Sequence, residues 1–270
     1  KEVIPLAPEP IQKQDRSTKN DCERNAARRL LRKIRQEHPR LKLIVVEDGL
    51  ASNGPHVRDL IECHMHFILG VKPGDHPFLF QQIQAACWEG RSPKLTRKER
   101  GVTCEVSWVW GVALNESNRD LRVNFLEYKE YDAQGNCRKH FTWITDLHIT
   151  HRNAWLLARG GRARWRIENE TFNTLKNQEY HFEHNYGHGQ QNLSVVFAML
   201  MMLAFLVDQT QQLCCPLFRA TWEKLGSKRA LWDNLRSHFR HFRFRSMRHL
   251  FEAILFDLGK EVSLPSLDSS

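Results

Sequence analysis

The stretch that decides the fold is Arg162-Ala163-Arg164-Trp165-Arg166-Ile167-Glu168-Asn169-Glu170-Thr171-Phe172-Asn173-Thr174-Leu175-Lys176. Counted from Trp165, the apolar residues Phe172 and Leu175 lie seven and ten positions on, which returns to one side of an α-helix. The spacing therefore predicts an amphipathic helix, with Glu168 beside its buried stripe. An exposed Arg164–Glu168 ion pair on an ordinary surface helix would explain the same spacing.

The motif Arg-Trp-x-Ile-Glu followed by Lys resembles the Tyr-Arg-Glu-Lys signature of DDE transposases encoded by bacterial insertion sequences. Arg164, Glu168 and Lys176 match its Arg, Glu and Lys. Two positions depart from the signature: Gly161 stands where it has Tyr, and Lys176 follows Glu168 by eight residues instead of seven. The additional residue leaves Glu170 as a second candidate for the carboxylate.

Four further blocks resemble stretches of the same transposases, so that the resemblance covers roughly residues 1 to 215: Pro5 to Ile11, Lys19 to Glu23, Val46 to Leu50 and Leu69 to His76. The resemblance implies a ribonuclease H-like core that cleaves DNA and transfers strands. It also implies three acids that bind two Mg²⁺ or Mn²⁺ ions. In two-metal sites one ion activates the attacking oxygen and the other stabilises the leaving oxygen.

Asp48 is the second candidate acid. The apolar run Leu41 to Val46 ends in Glu47-Asp48-Gly49, which predicts a buried parallel strand with Asp48 at its carboxyl end, where open α/β sheets place their chemistry. By resemblance, Asp48 and Glu168 are catalytic and metal-binding residues, 120 positions apart.

The first acid of the family is expected on a strand before Lys1. Asp15 and Asp21 are poor substitutes because both are predicted in the turn before the first helix, where Asp21 is explained by capping. The sequence-based hypothesis is therefore a truncated transposase or one segment of a split reading frame. A catalytically inactive, transposase-derived DNA-binding protein is the alternative.

The chain order predicts a mixed α/β fold. A helix over Asp21 to Glu37, a helix over Pro55 to Cys63, a strand over His66 to Val71 and a helix over Asp75 to Trp88 surround the Asp48 strand. Three aromatic-rich alternating runs and a hairpin turn at Gln134 to Asn136 predict an antiparallel insertion. The predicted domains are residues 1–90 and 151–215 for the catalytic core, 91–150 for a β-rich insertion and 216–270 for a basic helical tail.

Forty Lys plus Arg against thirty-one Asp plus Glu give a net charge of +9, which favours polyanionic partners such as DNA. Seven scattered Cys indicate free thiols in a reducing compartment, and a bacterial cytoplasm with association to the nucleoid is expected. The longest apolar run, Leu193 to Val207, has fifteen residues, fewer than the roughly 20 that span a bilayer. It predicts a buried helix and no membrane partner.

Candidate DNA contacts come from two sources. By resemblance, Arg164 and Lys176 bind phosphates near the transposon end, and long cations beside a metal site suit this task. Between Arg236 and His249, five Arg alternate with three Phe, which suits backbone contacts with base stacking and makes Arg240 and Arg243 candidates. A basic amphipathic helix with its Phe residues turned inward is the alternative. By analogy, a homodimer is expected to hold two transposon ends and the target DNA.

Two other kinds of site have weaker support. Cys63, His64 and His66, and separately His181, His184 and His188, are zinc-ligand types, but neither group has paired CxxC or HExxH spacing. No GxSxG elbow supports Ser-His-Asp hydrolysis. A metal-dependent nuclease chemistry on carboxylates remains the prediction.

Overall fold

The computed structural model describes residues 3–11, 22–99, 101–187, 189 and 192–256. Asp15, Asn20, Asp21 and His188, which entered the sequence predictions, lie outside these residues. The described strands are β1 (Ile44–Glu47), β2 (His66–Gly70), β3 (Lys94–Glu99), β4 (Val102–Asn115), β5 (Asn118–Tyr131) and β6 (Cys137–Thr145). The described helices are α1 (Glu23–Glu37), α2 (Gly54–Glu62), α3 (Pro77–Trp88), α4 (Ala154–Arg162), α5 (Asn173–Asn177), α6 (Leu193–Cys214), α7 (Pro216–Leu225), α8 (Lys228–His241) and α9 (Met247–Phe256).

The six strands form one mixed sheet in the order β1-β2-β6-β5-β4-β3. β1 and β2 are parallel, as predicted, and every other neighbouring pair is antiparallel. The strands of the predicted β-rich insertion extend this sheet, because β6 pairs directly with β2. The mixed α/β fold predicted from the sequence, consistent with a ribonuclease H-like fold, is confirmed.

The chain divides into two compact units, one of Glu9–Trp165 and one of Lys1–Pro8 with Arg166–Ser270. In the first unit, alternate residues of each strand enter different cores, as the two-residue period of a strand requires. On β2, Phe67 and Leu69 join a core covered by α1, α2 and α3, while Ile68 joins a core covered by α4. Helices therefore cover both faces of the sheet that carries Asp48.

The arginines of α1 hold this unit together. Arg28 Nε lies 2.8 Å from Asp59 Oδ2, and Arg32 also lies within ion-pair distance of Asp59. Arg35 donates to backbone carbonyls that include Cys63 O at 2.7 Å and Leu41 O at 3.0 Å. These contacts bind α1 to α2 and to the segment before β1, so the helix contributes structural ion pairs to the fold.

In the second unit, the described residues 166–256, with their gaps at 188 and 190–191, form helices joined by connecting segments. α7, α8 and α9 enclose one core, and α6 contributes Met201 and Phe205 to another. The helix predicted at Leu193 is present as α6 and continues to Cys214, but the prediction that it is buried is wrong, because only Met201 and Phe205 of this helix are fully buried. The apolar run ends at Val207, but the polar residues that follow continue the same helix.

Candidate active site

Asp48 occupies the position predicted for it, immediately after β1. Its backbone leaves the strand in an extended conformation, and its Oδ1 accepts a hydrogen bond from the Leu50 backbone N at 3.1 Å. Asp48 thereby caps the short 3-10 turn Gly49–Ala51, since a side-chain oxygen satisfies a backbone N–H that has no partner in the turn. This bond fixes the carboxylate at the carboxyl end of the parallel pair.

Glu47 adds a second carboxylate beside Asp48. Its Oε2 lies 2.6 Å from Nε2 of His56, a buried residue of α2. Asn53 caps α2, because its Oδ1 accepts a hydrogen bond from the His56 backbone N at 3.1 Å. His56 is therefore held both at its backbone and at its imidazole ring. Glu47 was not among the predicted site residues, although an acid directly before an Asp at the end of a strand is a signal that indicates such a site.

A cavity of about 530 Å³ opens at this end of β1 and β2, within the first compact unit. Glu47 and Asp48 line it together with three cations, which are Lys72, Arg162 and Arg164. Arg164 and Asp48, which were predicted to act at the same site, therefore line one cavity. Carboxylates beside several cations can bind a metal ion and a phosphate group side by side.

Arg162 is the cation that sequence reasoning missed. Its NH1 donates to Tyr128 Oη and to Glu130 Oε1, each at 3.0 Å. Burial opposes the charge of Glu130, but hydrogen bonds from Lys139 and Tyr128 and the charge of Arg162 hold the pKa of this carboxyl below its ordinary value. Arg162 is thus fixed by two partners on β5 before any ligand arrives.

Aromatic rings form part of the same cavity wall. Phe141 and Trp143 of β6 stack with ring centroids 5.7 Å apart and 12° between their planes. The guanidinium carbon of Arg164 lies 5.6 Å from the ring centroid of Trp165, which is 52% exposed. Proteins bind nucleic-acid strands through two such features: aromatic rings that stack on bases, and cations that contact the phosphates.

Glu168 belongs to the second unit and lies in a π-helical turn, Ile167–Phe172. The carboxylate of Glu170, the alternative candidate, is held by Arg166 through both oxygens, at 2.9 Å and 2.7 Å. Hydrogen bonding from Arg166 outweighs burial and lowers the pKa of Glu170. A carboxylate engaged at both oxygens by an Arg is a poor metal donor, which counts against Glu170 as a metal ligand.

The buried stripe predicted around Glu168 is wrong for two of its three residues. Trp165 is 52% and Phe172 37% exposed, and only Leu175 is buried. Ile167, an apolar residue outside the stripe, is 50% exposed. The chain turns at Ala163 and Arg164, and the π-helical turn follows, so the regular 3.6-residue period assumed for Arg162 to Lys176 is broken.

Lys176 lies in the last turn of α5 and is 42% exposed, with its Nζ 2.8 Å from Glu183 Oε1. A phosphate can compete for such a cation, because exposed ion pairs are weak. Lys176 and Glu168 belong to the same unit and lie on the same helical segment.

Residues 9–206 match the family model described as Transposase DDE domain. The chain belongs to this family. The match covers both Asp48 and the segment from Arg164 to Lys176. No match to a curated protein was found.

Arg240 and Arg243 lie beyond the part of the DDE transposase chain that matches the family model. Both are exposed. The alternative interpretation of Arg236 to His249, a basic amphipathic helix with its Phe residues turned inward, is wrong, because α8 ends at His241 and α9 begins at Met247. Phe239 is 57% exposed while Phe244 packs against the core of α7 to α9. One ring is therefore available for stacking and another has a structural role.

DDE transposases use divalent metals, and the donor types beside the cavity, two carboxylates, are those that Mg²⁺ prefers. Within the described residues, however, no group of three or more His, Cys, Asp or Glu side chains is placed to hold an ion. Asp48 and Glu47 alone are an incomplete ligand set. Of the zinc-ligand types, His66 Nδ1 lies 2.6 Å from Asp146 Oδ2, an ordinary ion-pair geometry.

Proposed function

We propose that this chain is the catalytic region of a transposase that cleaves DNA at the ends of a bacterial insertion sequence and transfers the strand to target DNA. One observation carries the proposal: Asp48, fixed at the end of β1, shares a cavity with Arg162 and Arg164. The membership of the chain in the DDE transposase family supports the reaction class.

Asp48 and Glu168 are the proposed metal donors, with Mg²⁺ or Mn²⁺ as the ions. The two residues belong to different compact units, so their joint role rests on the resemblance of the motifs around them. Bound divalent ions would supply charge stabilisation at the phosphate that is cleaved. Glu47 is an additional oxygen donor of the cavity, and the buried His56 fixes its orientation.

The cations bind the DNA backbone in this proposal. Arg162 and Arg164 hold the phosphate next to Asp48, and fixed guanidinium groups suit this because they bind phosphate with two parallel hydrogen bonds. Lys176 binds a phosphate near the transposon end. Arg240 and Arg243 bind DNA outside the part of the chain that matches the family.

The proposed partners are transposon ends and target DNA, and a homodimer would hold two ends in a synaptic complex. The proposed location is the bacterial nucleoid. These assignments rest on the resemblance and on the net charge of +9.

A metal-dependent nicking assay on plasmid DNA that carries the flanking inverted repeats tests the proposal. The expected result is nicking in Mg²⁺ or Mn²⁺ that is lost in Asp48→Asn and in Glu168→Gln, with DNA affinity retained. Asp75→Asn is the matched control, because Asp75 lines the same cavity and carries the same charge. Nicking that survives in both Asp48→Asn and Glu168→Gln would contradict the site.

A catalytically inactive, transposase-derived DNA-binding protein is the second candidate. The exposed Arg240 and Arg243 beside the exposed Phe239 favour it, since backbone contacts and stacking need no metal. Salt-dependent DNA binding without nicking in either metal, on DNA with correct inverted repeats, would support this candidate over the first.

A further inference from the structure

A buried serine ties the 3-10 turn after Asp48 to the neighbouring strand. Ser52 directly follows this turn and is 3% exposed. Its hydroxyl donates a hydrogen bond to the backbone oxygen of Gly70, the last residue of β2. The two backbones are close, since a Cβ atom on Gly70 would lie 3.4 Å from Gly49 N and 3.5 Å from Asp48 Cα. The turn therefore packs directly on the end of β2.

A buried histidine binds the backbone of the same serine. His76 is 8% exposed, and its Nε2 lies 2.9 Å from the backbone oxygen of Ser52. Because a carbonyl oxygen only accepts hydrogen bonds, Nε2 carries a proton and is the donor in this contact. His76 directly precedes α3, and its backbone N donates to Lys72 O at 3.1 Å. We name the two hydrogen bonds, from Ser52 Oγ to Gly70 O and from His76 Nε2 to Ser52 O, the Ser52 clamp.

The Ser52 clamp joins two loops that line the cavity of the proposed active site. The loop after β1 contributes Asp48 to the cavity, and the loop after β2 contributes Lys72 and Asp75. Because β1 and β2 are parallel, both loops leave the sheet at the same edge. Ser52 belongs to the first loop and His76 ends the second. Their hydrogen bond therefore fixes the backbone of an acid of the cavity relative to the backbone of a cation.

The buried position of the clamp makes the loss of either bond costly. Removal of one partner leaves the other polar group buried without a hydrogen bond. The loop after β1 would have to move to give the Ser52 carbonyl another donor. Such a movement would shift Asp48, because its Oδ1 is bonded within the turn that Ser52 ends.

We propose that Ser52 and His76 are positioning residues of the active site, which hold Asp48 and the loop of Lys72 in the arrangement that catalysis requires. The residues that line the cavity in the described part of the chain do not include either of them, so they act through the backbone of the turn. Residues that orient a metal ligand without touching the metal typically change activity or metal affinity about 10–100-fold when they are replaced. The catalytic consequence rests on the proposed function, whereas the hold of the clamp on the turn does not.

Hydrogen–deuterium exchange of the full chain, measured by mass spectrometry, tests the hold on the turn. His76→Leu keeps an apolar body at this buried position but has no donor. The peptide that covers residues 47–53 is expected to exchange about tenfold faster in this variant, as the loss of a buried hydrogen bond predicts.

Gln82→Leu is the matched control for this experiment. Gln82 also lies on α3, and its amide makes two hydrogen bonds of 3.0 Å with the backbone of Ala113 on β4. The control therefore removes side-chain bonds to the backbone from the same helix without touching the clamp. Exchange of residues 47–53 is expected to equal that of the wild type.

Plasmid nicking tests the consequence for catalysis. At saturating DNA, His76→Leu is expected to lower the nicking rate about 10–100-fold with unchanged DNA affinity, because the clamp acts on Asp48. His76→Gln is expected to recover most of the rate, since its amide offers an N–H donor in place of Nε2. Gln82→Leu is expected to nick like the wild type. If His76→Leu does not fold, Ser52→Ala replaces it in both measurements, because it removes only the bond to Gly70 O.

Unchanged exchange of residues 47–53 in His76→Leu would overturn the proposal. Faster exchange with an unchanged nicking rate would overturn it too, and would leave the clamp a structural contact while the proposed function stands. So would failure of His76→Gln to recover the rate. If the wild type does not nick DNA with correct inverted repeats, the proposed function fails, and calorimetric titration of Mn²⁺ decides the clamp. An Mn²⁺ affinity lowered in His76→Leu and retained in Gln82→Leu would then support it, and any other result would overturn it.

Discussion

Replacing Asp48 separates its structural role from its proposed chemical role. Its Oδ1 caps the 3-10 turn through the Leu50 N–H at 3.1 Å. Asp48→Asn keeps an oxygen for this bond, and Asn caps as well as Asp, so the melting temperature should hardly change. Asp48→Ala removes the cap and should cost about 1 kcal/mol, which lowers the melting temperature by about 2–4 °C.

The two variants should behave alike in catalysis, because both remove the charge. If the carboxylate supplies about 3 kcal/mol of transition-state stabilisation through a bound metal, its loss lowers the nicking rate roughly 150-fold. Plasmid nicking in Mn²⁺ gives the rate, and differential scanning calorimetry gives the melting temperature. Titration of Mn²⁺ by calorimetry gives a readout that is independent of activity.

The pattern across three variants decides the assignment. Asp75→Asn should nick like the wild type, because it changes the charge of the same cavity without touching the end of β1. If Asp48→Asn nicked DNA and bound Mn²⁺ like the wild type, and Asp48→Ala were only less stable, Asp48 would be a capping residue without a catalytic role. That result would contradict the proposed metal site.

Three further predictions concern DNA contacts and the core of the helical unit. Lys176→Ala should lower the slope of log binding constant against log salt by about 0.9, because one phosphate contact is lost. The double change Arg240→Ala with Arg243→Ala should lower it by about 1.8 for the same reason. Fluorescence anisotropy at several salt concentrations measures both slopes. Tyr180→Phe should destabilise the protein by about 1.5–3 kcal/mol at neutral pH, because the hydroxyl donates to the carboxylate of Asp208. Urea unfolding at several pH values measures this change.

The sign of the pH effect follows from the direction of the Asp208 pKa. Burial raises this pKa above its ordinary value, and the hydrogen bond from Tyr180 partly opposes the rise. The native state therefore binds a proton more tightly than the unfolded state, and the free energy of unfolding falls as pH rises through the native pKa. Tyr180→Phe removes the opposing bond, so the total fall should become larger and extend to higher pH, and the variant should lose least stability in acid.

Each of these predictions has a control of the same type. Lys98→Ala removes an exposed cation of β3, outside the proposed contacts, and should leave the salt slope unchanged. Tyr186→Phe removes a hydroxyl from a ring that stacks on Phe197 in the same core, at 4.5 Å between centroids. If the free energy of unfolding of Tyr180→Phe and Tyr186→Phe depended on pH in the same way, the hydrogen bond from Tyr180 to Asp208 would not stabilise the protein.

The position of Asp48 was predictable because its signal is local. A run of apolar residues that is followed by an acid and a glycine favours a buried strand that ends at the acid. β1 is parallel to β2 and ends directly before Asp48, as predicted, although it starts only at Ile44. The prediction that this strand is buried is wrong, because β1 lies at the edge of the sheet and none of its four residues is fully buried. Of the three residues before Ile44, Leu43 accepts a hydrogen bond from the His66 backbone N of β2 at 3.1 Å, so the pairing with β2 begins just before the strand.

The remainder of the cavity was not predictable, because its residues meet only through the fold. Arg162 is fixed by Glu130, 32 positions earlier, and no local spacing shows that pairing. β3 was missed for a related reason. Its sequence, Lys94-Leu95-Thr96-Arg97-Lys98-Glu99, is mostly charged, and as the edge strand of the sheet it needs only Leu95 to pack inward.

The π-helical turn gives a physical reason for the eight-residue spacing of Glu168 and Lys176, one more than in the Tyr-Arg-Glu-Lys signature that the motif resembles. In a regular helix, one additional residue between Glu168 and Lys176 would rotate Lys176 by about 100° around the axis, away from the direction that a spacing of seven gives. A π-helical turn bonds each N–H to the fifth preceding carbonyl, so it holds about one residue more than an α-helical turn. The turn Ile167–Phe172 thus absorbs the additional residue and returns Lys176 to the side of the helix it would occupy with seven. The free-energy cost of this distortion is lowered by three residues with low α-helix propensity, Asn169, Thr171 and Phe172. The irregular spacing and the irregular helix are therefore one feature, and the assignment of Glu168 and Lys176 as the acid and the cation of the motif stays a prediction.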